Sequence, residues 1–215
     1  MRYCTELTVG SLLIYPPRGN VASDKAREFI RYRIKQAKHR AIDQPIERLA
    51  GILPGSVLEE LLDGSRTPVP ITGHAPLRKD ALWVPHVICR TMVAAGLGTV
   101  VVPCLKRRRM VVQQSTRSAA DEWLSPSEHA DSMAVEGVFE LGAKILLVDD
   151  VVTRGSTLIA AASLILHDVP NVDVKAFAVA RVAQEPLTDV GEMLAPAMGV
   201  ITCDEAGISP VRRGA

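Results

Sequence analysis

The apolar positions of this chain fall into two kinds of run. Residues 9–15 (VGSLLIY), 99–105 (TVVVPCL), 144–148 (KILLV) and 172–182 are short and rich in aliphatic and β-branched side chains. Turn-forming residues bound them, which predicts buried strands. Thr67-Pro-Val-Pro-Ile-Thr72 predicts another short strand, and its prolines confine it to a sheet edge or a strand start. Residues 135–141 and 199–203 predict two more. The intervening segments have helical spacing. Ser23 and Asp24 can cap a helix reaching about residue 40, with Ala26, Phe29, Ile30, Ile34, Ala37 and Ala41 forming one stripe. Residues 46–62 predict two short helices broken at Pro54-Gly55. A mostly apolar helix is expected over residues 80–95, with Pro85 in its first turn or at a kink. Residues 156–167 are apolar almost all round, which predicts a buried helix, and 187–194 a short one.

Strands alternating with helices predict an α/β fold: a mostly parallel sheet flanked by helices, with a small hood. Residues 1–64 supply an N-terminal strand and basic helices, part of the same domain or of the hood. Residues 65–215 form the core. Such sheets bind ligands beyond the carboxyl ends of their strands. The chemistry is therefore expected just after residue 148, after Ile71-Thr72 and after Cys104-Leu105. Residues 106–134 are polar and aperiodic, which predicts a flexible loop.

Composition narrows the function. Of 215 residues, 47% are hydrophobic and 23% charged, so the chain can bury a core and is not disordered. With 25 Lys+Arg against 24 Asp+Glu it is not an electrostatic nucleic-acid binder as a whole. Two basic stretches keep a local nucleic-acid patch open: Lys25, Arg27, Arg31, Arg33, Lys35, Lys38 and Arg40, and Lys106 to Arg109 with Arg117. Aromatic residues, at 4%, are too few for serial base stacking. Cys4, Cys89, Cys104 and Cys203 form no C-x-x-C pair, which argues against a zinc ribbon and a disulfide framework. No apolar stretch of about 18 residues occurs, and Glu6 and Pro16-Pro17 spoil a signal peptide. The expectation is a cytoplasmic protein with no membrane partner.

The densest signal is ILLVDDVVTRGSTL, residues 145–158. An apolar strand ends in Asp149 and Asp150. A turn of Thr153, Arg154, Gly155, Ser156 and Thr157 follows and opens a helix. Backbone N–H groups at a helix N-terminus converge on an anion, Gly155 permits close approach, and the hydroxyls add donors. Carboxylates beside such a cradle accept hydrogen bonds from a diol. A ribose 5-phosphate has that layout. A Walker A loop would need G-x-x-x-x-G-K-S/T, and only Gly155 is present. A receiver domain places paired acids at its first strand within about 120 residues, whereas here only 65 residues follow Asp150. A capped helix after an acidic turn, with no ligand, is the plainest alternative.

This segment resembles the phosphoribosyl diphosphate (PRPP) motif of type I phosphoribosyltransferases: an apolar strand, two acids and a T-x-G-A/S-T turn. Upstream, VPITGHAPLRK (residues 69–79) is similar to the V-P-V-P-L strand and loop of the ComF-like branch, which is linked to DNA uptake in competent bacteria. LSPSEHADS (residues 124–132) is similar to its L-S-x-x-E-R-x-x-N segment, with His129 and Ser132 where the branch carries Arg and Asn. The branch's N-terminal four-cysteine ribbon is absent, and the stretch from Gln114 to Leu124 is longer. The resemblance implies transfer of the 5-phosphoribosyl group from PRPP to an unidentified nitrogen acceptor, a pentosyltransferase reaction of nucleotide metabolism. Asp149 and Asp150 would be the catalytic pair and hold the ribose hydroxyls, directly or through Mg²⁺. Thr153, Arg154, Gly155, Ser156 and Thr157 would bind the 5′-phosphate. Thr72 and Gly73 would form a pyrophosphate loop of strained backbone. Lys106, Arg107 and Arg108 would begin a mobile loop that neutralises the leaving group. The hood would come from residues 1–64, from 125–141, or from both. A homodimer is expected from the class. The alternative is a non-catalytic protein that binds PRPP or a ribonucleoside phosphate, regulatory or competence-related.

Overall fold

A strand with no polar alternation needs cover on both faces, and the run at 144–148 has it. The computed structural model describes residues 3–34, 42–111, 124–204 and 211–213. In chain order its elements are β1 (Glu6–Tyr15), α1 (Val21–Glu28), α2 (Asp43–Ile52), β2 (Thr67–Pro70), α3 (Val84–Ala94), β3 (Leu105–Arg107), α4 (Pro126–Asp131), β4 (Met133–Val135), β5 (Lys144–Val152), α5 (Ser156–Asp168), β6 (Asp173–Val182), β7 (Leu194–Thr202) and β8 (Val211–Arg213). Six strands form one sheet in the order β2-β5-β6-β1-β7-β8, and β3 with β4 makes a separate ribbon. Strands β2, β5, β6 and β1 run parallel, while β7 and β8 are antiparallel additions. The α/β expectation therefore holds.

Side-chain alternation divides the core between the two faces of the sheet. Leu12, Leu146, Val148 and Phe177 pack with Ile30, Leu49, Ile88 and Met92 on one side. Ile145, Leu147, Ala176 and Ala178 pack with Ile159, Ala162 and Ile165 of α5 on the other. Gly10 on β1 is needed for close approach: a Cβ there would lie 2.4 Å from Leu61 and 2.8 Å from Leu58.

The N-terminal helix differs from expectation. Its cap is Asn20, whose side chain accepts from Ser23 N, while Ser23 Oγ accepts from Leu187 N at 2.9 Å. The helix continues through a π-helical segment, Phe29–Ile34. Arg27 is not simply solvated. It donates to Pro16 O at 2.7 Å, and its guanidinium stacks 4.6 Å from the Tyr15 ring. Lys35, Lys38 and Arg40 lie outside the described residues. Residues 46–62 hold one helix, α2, followed by turns.

Residues 99–104 are not a regular strand. Pro103 lacks an amide donor, and the segment is held to β2 and the residue before it by bonds from Thr99 N to Arg66 O and Val102 N to Pro68 O. Those bonds ask nothing of the missing N–H groups of Pro68 and Pro70, which explains how β2 carries two prolines. Residues 135–141 contain the end of β4 and a 3₁₀ turn, Val138–Glu140. The segment expected as a helix at 187–194 narrows to a 3₁₀ turn, Val190–Met193, and the last predicted strand is longer, as β7. Among the described residues no helix is long and apolar enough to cross a membrane. Cys4, Cys89, Cys104 and Cys203 form no disulfide with one another.

Candidate functional site

The carboxyl ends of β2 and β5 open into a cavity of about 860 Å³. The three places expected to carry chemistry meet there: Ile71 to Gly73 after β2, Leu105 to Arg107, and Asp149 with Asp150. Contrary to expectation, β5 does not stop at the aspartates. It runs on to Val152, with Asp149 opposite Ala178 and Val151 opposite Ala180 in β6. Asp149 Oδ1 accepts from Asp150 N and Asp150 Oδ1 from Val151 N, each at 2.8 Å, so the strand's own backbone orients both half-buried carboxylates.

After β5, Thr153 to Gly155 turn the chain into α5. Gly155 has φ +91°, and a Cβ there would lie 2.4 Å from Ile201 Cδ1. Both facts demand glycine. Of the expected phosphate cradle, Thr157 lines the cavity. Thr153, Arg154, Gly155 and Ser156 do not: Arg154 is exposed, and Gly155 and Ser156 are buried.

Ile71 N donates to Val148 O at 2.9 Å, extending the β2–β5 ladder to the cavity's edge. Thr72 is buried and its Oγ1 is 3.3 Å from Met133 Sδ. The strained backbone expected at Gly73 is not found. Its φ lies outside the left-handed region, and a Cβ would meet nothing within 4 Å. The left-handed residue of this loop is Asp80, at φ +63°.

Residues 106–111 and 124–134 of the expected loop are among the described residues. Leu105, Lys106 and Arg107 pair with Val135, Ala134 and Met133. Val111 N then donates to His74 O at 2.8 Å, so the chain crosses the loop after β2. Residues 112–123, with Arg117, lie outside the described residues. Lys106 is exposed and lines the cavity. Arg108 does not line it, and its backbone N donates to Ser132 O at 2.8 Å. Arg107 lines the cavity yet is only 6% exposed. Its Nε donates to Gly73 O at 2.9 Å, and its Nη1 to His129 O at 3.4 Å and to Ser132 Oγ. Burial lowers its pKa to about 10, so it stays a cation at neutral pH.

Two residues not singled out for the site prove central. His129 of α4 is 3% exposed, and its Nε2 lies 3.5 Å from Thr157 Oγ1. Burial, then the neighbouring Arg107 charge, pushes its pKa down to about 4 against the opposing pull of Glu128. The imidazole is therefore neutral at pH 7. The signal was the segment LSPSEHADS, whose S-x-x-E forms a capping box: Ser125 Oγ accepts from Glu128 N and the Glu128 side chain from Ser125 N. Trp83 donates from Nε1 to Ile71 O at 2.8 Å and stacks on His86, the ring centroids 5.4 Å apart. It belongs to an apolar wall with Leu77, Leu82 and Met110, each more than half exposed. No described residue of 1–64 lines the cavity, and of 125–141 only His129 does.

The arrangement suits a ligand with hydroxyls and anionic groups: carboxylates accept from the former, and Lys106 with hydroxyl donors meets the latter. Among the described residues no cluster of three His, Cys, Asp or Glu could hold a metal alone. Mg²⁺ needs no such cage, since it binds through one or two carboxylates, waters and substrate phosphates. Asp149 and Asp150, adjacent hard-oxygen donors on one cavity, fit that mode. No protein-family model matches this chain, and no curated protein sequence is significantly similar to it.

Proposed function

We propose that this protein binds PRPP with Mg²⁺ and transfers its 5-phosphoribosyl group to a nitrogen acceptor, releasing pyrophosphate. The reading rests on one observation: the β5 carboxylates, Thr157 in the first turn of α5, the Thr72–Gly73 loop and Lys106 share a single cavity at parallel-strand carboxyl ends. In the transfer the bond from ribose C1 to pyrophosphate oxygen breaks, a bond from C1 to the acceptor nitrogen forms, and the proton that the nitrogen carried passes to solvent. Asp149 and Asp150 hold the ribose hydroxyls, directly or through Mg²⁺, which those carboxylates would carry and which would supply charge neutralisation for the departing diphosphate. Thr157, the residue of the expected cradle that lines the cavity, binds the 5′-phosphate through its hydroxyl. Lys106 faces the leaving group, and the apolar wall at Trp83 keeps water from the electron-poor ribose. The work is positioning and electrostatics, with no covalent nucleophile. Four cysteines with no disulfide among them suit a reducing cytoplasm.

Thermal unfolding with and without PRPP·Mg²⁺ tests this. Ligand at about a hundredfold its Kd adds about 2.7 kcal/mol, roughly 5–10 °C for a chain of this size. The shift should vanish in the Asp149→Asn/Asp150→Asn protein. No shift with PRPP or any ribonucleoside phosphate would overturn the assignment. A PRPP shift without pyrophosphate release across an acceptor panel would leave a binding protein rather than a transferase.

A further inference from the structure

Arg107 is placed unlike a leaving-group cation. Its guanidinium is buried, and among the described residues it donates to three points of the protein: Gly73 O in the loop after β2, His129 O in α4, and Ser132 Oγ at the α4 C-cap. Ser132, fully buried, donates in turn to His129 O at 2.6 Å. The His129 ring then reaches Thr157 Oγ1. A bonded path thus runs along the cavity wall from the Gly73 carbonyl, through Arg107 and α4, to the first turn of α5. A guanidinium fork can serve acceptors in several directions at once, and a lysine ammonium is a point charge without that planar geometry.

We propose that Arg107 is a positioning residue, which clamps the Gly73 carbonyl to α4 and so fixes the loop after β2 relative to the α5 N-terminus. This rests on the phosphoribosyl reading, in which those two sites hold opposite ends of one PRPP molecule. The clamp matters for a ligand that spans both sites and little for one that uses only the α5 side.

The test compares PRPP·Mg²⁺ with ribose 5-phosphate, which lacks the diphosphate, by calorimetric titration of wild-type and Arg107→Lys protein. The expected result is a PRPP Kd raised about tenfold or more, the cost of a lost charge-assisted hydrogen bond, with ribose 5-phosphate changed by less than about twofold. A general loosening of the fold would weaken both ligands alike, and that outcome, or no change in either, overturns the clamp. Should Arg107→Lys fail to fold, Ser132→Ala decides the matter. It keeps the buried charge and removes one acceptor, so a selective loss of PRPP affinity supports the clamp and an equal loss overturns it. Wild-type protein that ignores PRPP would overturn the phosphoribosyl reading itself, a result distinct from an unselective Arg107→Lys effect.

Discussion

A buried histidine beside a buried arginine must give up its proton to stay where it is. His129 does so: Arg107 lies against its carbonyl, and the ring titrates near 4 rather than near 6.5. Between those two values the unfolded chain binds a proton that the folded chain refuses. Stability therefore rises with pH across this window and is lost as pH falls from about 6.5 toward 4. The shift is worth on the order of 3 kcal/mol. His129→Gln should flatten that part of the profile, read as the difference between the two proteins' midpoints at pH 5 and pH 7. Equal slopes would mean that His129 is not held neutral. Residues of this kind show how far the sequence could be read. Asp149, Asp150 and Thr157 were legible because a strand, a turn and a helix start place them in one short run. Arg107 was legible as a charge but not as a buried one, since burial depends on β3 pairing with β4 across a gap of 25 residues between Arg107 and Ser132.

At the scale of elements, α4 is six residues long and has little stability of its own. Its capping box and its packing against α5 hold it. Ser125→Ala removes the acceptor for Glu128 N and should cost about 1 kcal/mol in urea unfolding. Because α4 carries His129 and ends at Ser132, the same change should also weaken PRPP binding. A loss of stability with ligand response intact would separate the cap from the site. The predicted strands and helices survived where an apolar run was long and uninterrupted, as in β5, β6 and α5. They failed where backbone hydrogen bonding decided the matter. Residues 99–104 have the composition of a strand, but their backbone bonds to this edge, from Thr99 N to Arg66 O and from Val102 N to Pro68 O, make no regular ladder, and Pro103 lacks a donor. The aspartates read as a strand end, yet β6 supplies a partner that carries β5 three residues further, past Asp149 to Val152.

For the whole molecule, the position of β1 decides the architecture. The first strand of the chain lies between β6 and β7, parallel to one and antiparallel to the other. Nothing in the local pattern of residues 9–15 foretold this, since the register is set by partners more than 150 residues away. Strand β1 thus shares one sheet with strands that follow residue 64. Removing residues 1–64 would leave β6 and β7 with bare edges and strip Leu7, Val9, Leu12 and Leu13 from the core, all buried. Each such side chain is worth about 1.5–3 kcal/mol, so the four together rival the roughly 5–15 kcal/mol that holds an ordinary domain together. A fragment of residues 65–215 should therefore show no cooperative unfolding transition and no near-ultraviolet circular dichroism of a fixed core. A sharp melt from that fragment would refute the central role of β1. Since every described residue lining the cavity lies after residue 70, loss of ligand response in the fragment would trace to the sheet that holds the site rather than to a missing contact.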